Sequence, residues 1–325
     1  MDVNAIYELV ADDLQEVENE LGKRIQSEDI TLIPTIGQHI LRSGGKRFRP
    51  LTLVLSARAC GYEGRDHIMV GCILEFIHTA TLMHDDVVDE ATIRRGESSV
   101  NTVWGNKASI LVGDFFFTQS FYLIAQTRNW RALDVLTEAV TKLARGEILD
   151  LINEGAISLS EEAYFTTVDC KTASLFEAAT HIGAVLGRTD QGTEMAMKAF
   201  GQNMGMAYQL TDDTLDFIAT EDQFGKTIGK DLREGKVTLP LIHTLRSSSS
   251  TDREVIVAAL NRNDLSEGDV QEVVALINKY EGIDYTVKCS QRYVETAKST
   301  LSALPPSPAR DALSTLADYA VRRES

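Results

Sequence analysis

The chain has 325 residues, 43% of them hydrophobic, enough to bury a sizeable core as one large domain or two. Its formal net charge of −16 argues against non-specific binding to nucleic acid or anionic membranes, so an anionic ligand would need a local basic pocket or metal ions. The cysteines Cys60, Cys72, Cys170 and Cys289 are scattered without a CxxC and read as reduced core thiols of an intracellular protein.

The first stretch, MDVNAIYELVADDLQEVENELGKR, is acidic and amphipathic, unlike a signal or transit peptide. No proline occurs between Pro50 and Pro240. Since proline costs about 3 kcal/mol in a helix interior, that gap fits a stack of long helices. Leu133, Leu136, Val140 and Leu143 recur at helical spacing. Breaks fall at 43–45, 61–64, 96–99, 187–190 and 247–250, and Pro305-Pro306-Ser307-Pro308 precedes a last amphipathic helix, ARDALSTLADYAVRR. No alternating strands with hairpin turns stand out, and no apolar run approaches a membrane span. The expectation is one all-α domain over residues 1–325, a large helical bundle, soluble and cytoplasmic.

Residues 73–96 read ILEFIHTATLMHDDVVDEATIRRG, and their D-D-x-x-D pattern of Asp85, Asp86 and Asp89 returns as Asp212, Asp213 and Asp216 in QLTDDTLDF. On a helix, Asp85 and Asp89 share a face, as do Asp212 and Asp216, with Asp86 and Asp213 at their flanks. Carboxylates so close repel unless a cation sits among them, and aligned oxygen ligands suit Mg²⁺ completed by phosphate. A solvated acidic face is the plain alternative, and the apolar flanks FIHTATLM and FGQNMGMAYQL weigh against it. Glycosidase chemistry would need one carboxyl from each side, not two triads.

Cations lie beside both triads: Lys46, Arg47 and Arg49 in GGKRFRP, Arg94 and Arg95 before Gly96, and Lys226, Lys230 and Lys236 in FGKTIGKDLREGK. Singly each reads as ordinary surface charge. Together with the triads they suit two diphosphate groups, arginine forks binding bidentately and lysines as point charges.

These motifs, with Lys171-Thr172 and Gln209, resemble the trans-isoprenyl diphosphate synthase (polyprenyl synthetase) family over nearly the whole chain, and HTATLMHDDVVDEATIRRG looks most like its long-chain octaprenyl and nonaprenyl members. The resemblance implies the isoprenoid synthase fold, an all-α bundle around a deep central cavity, usually a homodimer. It implies that Asp85, Asp86, Asp89, Asp212, Asp213 and Asp216 bind Mg²⁺, three ions per site. Arg94, Lys171 and Lys226 would contact an allylic diphosphate, and Lys46, Arg49, His78 and Arg95 isopentenyl diphosphate. Thr172 and Gln209 would face the reacting carbons, and Lys236 would help close the second site. His78 stands where short-chain members commonly have glutamine, which opens a pH-dependent contribution.

The implied reaction is sequential head-to-tail condensation. The allylic C–O bond ionises, the isopentenyl double bond attacks, and a proton leaves. Ala80 and Thr81 are small where short-chain members carry aromatics, so a product of C30–C50 is expected, centred on C40–C45, for quinone side chains. Phe115, Phe116, Phe117, Phe121 and Tyr122 are candidates for the cavity floor or for ordinary core. The alternatives are a shorter-chain farnesyl or geranylgeranyl diphosphate synthase, the catalytic subunit of a heteromeric synthase, and a non-catalytic partner subunit. The two intact triads argue against the last, and with GGKRFRP against a terpene cyclase.

Overall fold

The computed structural model describes residues 1–26, 28–42, 44–218, 229–262 and 265–322, and these are helical apart from loops and one short hairpin. They divide into two compact units. The first comprises Met1–Thr137, Ala178–Met197 and Ala303–Leu313; the second comprises Glu138–Glu177, Lys198–Ser302 and Ser314–Ser325.

The first unit contains α1 (Val3–Leu9), α2 (Ala11–Gln26), α3 (Leu32–Arg42), α4 (Phe48–Ala59) and α5 (Asp66–Val88). After a hairpin follow α6 (Val100–Trp104) and α7 (Asn106–Gln126). Helix α5 is its core element, packed against α2, α4 and α7, with Val70, Cys72, Ile73, Leu74, Phe76, Ile77, Ala80 and Met83 buried. Pro34 and Pro50 sit in the first turns of α3 and α4, where the missing N–H leaves no hydrogen bond unmade.

The hairpin is a departure from the sequence expectation, which took 96–99 as a plain break. Strand β1 (Ile93–Arg94) pairs antiparallel with β2 (Glu97–Ser98), Arg94 opposite Glu97. Arg95 and Gly96, at φ 53° and 80°, form the left-handed two-residue turn that the strand twist favours. Two-residue strands are too short for alternation to show.

Helix α7 also departs from expectation. Among the described residues it is the helix long and apolar enough to cross a membrane, by length and composition. Counting uninterrupted apolar runs missed it because Asp114 divides the helix. Leu111 and Tyr122 on it stand 68% and 59% exposed.

The second unit holds most of α8 (Trp130–Asn153), then α9 (Glu161–Val168), and a five-residue π-turn, Asp169–Ala173, that leads into α10 (Ser174–Leu186). Its other helices are α11 (Gln191–Ile218), α12 (Lys230–Arg233), α13 (Leu239–Ser247), α14 (Ser250–Leu260), α15 (Glu267–Lys279), α16 (Gly282–Thr300) and α17 (Pro308–Arg322), some of them shared with the first unit. Val168, Ala173, Met206, Leu210, Leu239, Leu245, Ile256, Val270 and Ile277 form its core. The Ser160 hydroxyl caps α9, and Ser266 with Asp269 forms a capping box on α15. The four cysteines are free thiols, three buried and Cys60 half-buried.

Candidate active site

The first triad sits where α5 runs out. Asp85 and Asp86 are in its last turn, and Asp89 is its C-cap, donating its N–H to the Asp85 carbonyl at 2.7 Å. Asp86 is buried at 3% exposure, whereas Asp85 and Asp89 are half-exposed. The Asp86 carboxylate accepts from Arg94 Nε at 2.8 Å and from Arg94 Nη2. The intervening loop is pinned: Asn101 Nδ2 donates to the carbonyls of Asp86 (2.9 Å) and Ala91 (3.1 Å), and Ser99 Oγ donates to Ala91 O at 2.6 Å. Those two side chains and the turn at Arg95-Gly96 deliver Arg94 onto the triad.

Arg95 turns the other way and donates to the Gly44 carbonyl. A Cβ at Gly45 would stand 2.7 Å from Arg95 Nη1, the movable end of that side chain, so a larger residue there would push the guanidinium aside. Of the three cations in GGKRFRP, Arg47 is engaged elsewhere. It pairs with Glu18 and, at 2.7 Å, with the buried Glu75, and burial of that pair fixes the entry to α4. Lys46 is exposed, its carbonyl accepting from Tyr7 Oη at 2.5 Å, and Arg49 is half-buried. His78 is crowded by protein though it keeps some solvent access. Burial first, then the charges of Arg49, Arg95, Arg94 and Arg47, hold its pKa well below the ordinary histidine value.

The two small residues of α5 differ in surroundings. Thr81 is half-buried and donates to the His78 carbonyl at 2.8 Å. Ala80 is fully buried, one turn from Phe76. The Phe76 ring stacks on Phe116 of α7, centroids 5.3 Å apart. Of the floor candidates Phe116 is fully buried, Phe115, Phe117 and Phe121 are half-buried, and Tyr122 is largely exposed.

In the second unit Asp212 is exposed, Asp216 half-buried and Asp213 buried. Asp213 accepts from Tyr164 Oη and from Gln209 Nε2 at 2.8 Å, and Gln209 Oε1 accepts from Thr172 Oγ1 at 2.7 Å. Asp216 accepts from the N–H groups of Lys230 and Asp231, both at 3.1 Å, and so caps α12. Lys171 lies on Glu147 and Asp150, both at 2.7 Å. Lys236 pairs with Glu234 at 2.9 Å, and Lys230 with the same residue at 3.1 Å. Lys226 lies outside the described residues.

Burial, with Asp212 and Asp216 as neighbours, pushes the Asp213 carboxyl up to about 7. Burial and the charge of Glu234 raise Asp216, and burial with the charges of Asp216 and Asp213 raises Asp231. Asp231 was not among the sequence candidates. It follows Lys230 in a stretch read for its lysines, and the sign of a charge gives no hint of what the fold sets beside it. Tyr164, Glu147 and Asp150 were likewise missed, because no spacing rule ties them to their partners.

The donor set fits a hard divalent cation: oxygen ligands only, crowded and under-compensated by the donors around them. Among the described residues, though, no three acidic, histidine or cysteine side chains converge closely enough to hold an ion as they stand. Asp86 is turned to Arg94, and Asp216 to the α12 N–H groups. Both Arg94 bonds fall on Asp86 Oδ1, whereas Asp216 uses both of its oxygens on the α12 N–H groups.

A family model described as polyprenyl synthetase matches residues 30–277. The chain belongs to that family. As a polyprenyl synthetase it is 39% identical over the full length of both chains to the octaprenyl diphosphate synthase of Escherichia coli (strain K12). It is also 35% identical, again over the full length of both, to heptaprenyl diphosphate synthase component 2 of Geobacillus stearothermophilus. Among solved structures it resembles a polyprenyl synthase from Caulobacter crescentus CB15 complexed with calcium and isoprenyl diphosphate. That match has a TM-score of 0.95 at 37% identity and covers 100% of this chain and 98% of the other. The all-α isoprenoid synthase fold expected from the motifs is thus the fold found.

Proposed function

We propose that this chain is an all-trans polyprenyl diphosphate synthase of long-chain type, one functional domain over residues 1–325, adding isopentenyl diphosphate head-to-tail to an allylic diphosphate. The observation that carries the reading is that both triads are intact and each holds its middle aspartate, Asp86 and Asp213, buried among polar partners. A partner subunit without catalytic work would have no use for two such sites.

Asp85, Asp86 and Asp89, and Asp212, Asp213 and Asp216, are the residues that would hold Mg²⁺, three ions in this reading, whose charge favours ionisation of the allylic C–O bond. Arg94, Lys171 and Lys226 would hold the allylic diphosphate as it leaves. Arg94 and Lys171 each rest on carboxylates in this structure, so an arriving diphosphate exchanges one anionic partner for another and no cation is left unpaired. Lys46, Arg49, His78 and Arg95 would orient isopentenyl diphosphate, and Lys236 would help close the second site. The isopentenyl double bond then forms the new C–C bond to the allylic carbon, and the proton lost restores an alkene. Thr172 and Gln209 would face these carbons, and the departing diphosphate would take the proton. Small side chains at Ala80 and Thr81 support a product of C30–C50, centred on C40–C45, of the length that quinone side chains need.

Purified chain incubated with Mg²⁺, labelled isopentenyl diphosphate and farnesyl diphosphate is expected to yield products of about eight or nine isoprene units on sizing. The exposed apolar residues of α7, Leu111 and Tyr122 among them, support a homodimer, which gel filtration with light scattering would read. No incorporation by the chain alone would favour the catalytic half of a heteromer, a second reading that rests on the likeness to heptaprenyl diphosphate synthase component 2.

His78 gives a pH-linked expectation. The folded chain holds this imidazole neutral well below its ordinary pKa, while the unfolded chain protonates near 6.5. Stability should therefore fall as pH drops below about 6.5, until the folded value is reached. A diphosphate beside Arg49 and Arg95 would cancel their push and raise the pKa. Binding of isopentenyl diphosphate at pH 6 is then expected to take up a fraction of a proton. Calorimetry in two buffers of different ionisation enthalpy measures the net exchange, and His78→Gln should remove the histidine's share and leave only the protons that the diphosphate itself gives up.

A further inference from the structure

Helix α9, the π-turn and α10 form one continuous rod, and the π-turn carries both Lys171 and Thr172. A π-turn inserts one residue into the α-helical ladder at some energetic cost, and such turns concentrate where function needs them. Its flanks are tied together here by one ammonium. Lys142 Nζ on α8 lies 2.8 Å from Asp169 Oδ2, at the start of the turn, and 2.9 Å from Glu177 Oε2, beyond its end. In a plain α-helix these carboxylates, eight residues apart, would point about 80° away from each other. The inserted residue makes them behave as if seven apart, within about 20° of alignment. One lysine can bridge them because the turn is there, and the turn is favoured because one lysine bridges them.

Helix α8 matches the rod along one stripe. One turn after Lys142, a Cβ on Gly146 would stand 2.4 Å from Lys171 N and 2.6 Å from Lys171 Cα, so α8 can approach the bulged backbone only at a glycine. One more turn brings Asp150 to Lys171 Nζ, and Asn153 Nδ2 then donates to Thr167 Oγ1 at 3.0 Å. Gln202 Nε2 holds the second oxygen of Asp169 at 2.8 Å. Burial disfavours the charge on Lys142, but hydrogen bonds to Asp169 and Glu177 outweigh it and raise its pKa, so the clamp stays ionised.

We infer that Lys142 is a positioning residue for prenyl transfer: by tying Asp169 to Glu177 across the π-turn, over the notch at Gly146, it sets where Lys171 and Thr172 stand. This rests on the prenyl synthase reading of the site. The downstream link is direct, since Thr172 donates to Gln209 and Gln209 to Asp213.

The test compares Lys142→Met, Lys142→Gln and Lys142→Arg with Lys198→Met. Lys198 pairs with Glu177 at 3.2 Å and Glu138 at 3.1 Å but does not span the turn. Removing the clamp charge is expected to lower kcat/KM for the allylic diphosphate about ten- to a hundredfold, because small misplacements of reacting groups are that costly. The arginine variant should recover most of the loss, and Lys198→Met should stay within about twofold of wild type. Amide exchange over residues 170–174 in the ligand-free protein should quicken about tenfold in Lys142→Met and Lys142→Gln only. Unchanged exchange in both would overturn the clamp, as would equal losses of activity in Lys142→Met and Lys198→Met. If wild type makes no prenyl product while exchange still quickens, the clamp stands as a structural brace and the prenyl reading falls, together with the role in transfer.

Discussion

Asp86→Ala is expected to lower kcat by about 10²–10³ or more, the loss typical when a preorganised charge partner is taken from a transition state. The substitution strikes two functions at once. It removes a candidate metal ligand and leaves Arg94 without the carboxylate that anchors its Nε at 2.8 Å. The fold should survive, because Arg94 keeps 32% of its side chain in solvent and can hydrate when released. A stability loss of roughly 1–3 kcal/mol is the expected range for a broken charge-assisted bond of this kind. Arg94→Met separates the two roles. It should weaken binding of the allylic diphosphate while leaving the dependence on Mg²⁺ concentration intact, whereas Asp86→Ala should shift that dependence upward. Wild-type turnover in Mg²⁺ by Asp86→Ala would remove this cluster as the ionisation site.

The second large effect concerns product length. Ala80→Phe is expected to shorten the product to roughly C15–C20, since each isoprene unit takes up about one helical turn of depth, ~5 Å. The structure adds a reason. Ala80 is buried one turn from Phe76, whose ring stacks on Phe116, so a new ring would extend an existing aromatic block toward the triad. Overpacking there costs about 1–3 kcal/mol, so a melting curve must accompany the product analysis. Thr81→Phe, half-buried on the His78 side, is the comparison. Shortening by Ala80→Phe alone would place the growing chain between α5 and α7, and shortening by Thr81→Phe alone would place it on the His78 side. A folded Ala80→Phe enzyme with an unchanged length distribution would dismiss Ala80 as part of the wall.

The features legible in the sequence depend on local spacing. Helices reveal themselves by proline placement and by apolar residues three and four apart, and both triads follow from i and i+4 on one helix. Even the proline argument has a visible reason: Pro34, Pro50, Pro240 and Pro308 all lie in the first turns of their helices. What escaped depends on contacts between distant residues or on a single extra residue. Asp231 joins Asp213 and Asp216 only because α12 folds back onto α11. Arg47 looks like its neighbours Lys46 and Arg49 until Glu18 and Glu75 are seen around it. The π-turn has no signature in composition, because DCKTA would serve in an ordinary helix, and the glycine that accommodates it stands on another element.

That turn also bears on how this region can change over evolutionary time. Within a regular helix, losing one residue swings everything downstream by about 100° and buries the wrong side. At 169–173 the surplus residue is already present, so a deletion there would heal the backbone ladder and leave α10 in register with its surroundings. Asp169 and Glu177, then seven residues apart in a plain helix, would still lie within about 20° of each other and keep their lysine, but Lys171 and Thr172 would lose the widened turn that sets them over the glycine notch. A single-residue gap in this segment should therefore spare the packing of α10 and cost the placement of Lys171 and Thr172, whereas a gap in a regular helix would cost both.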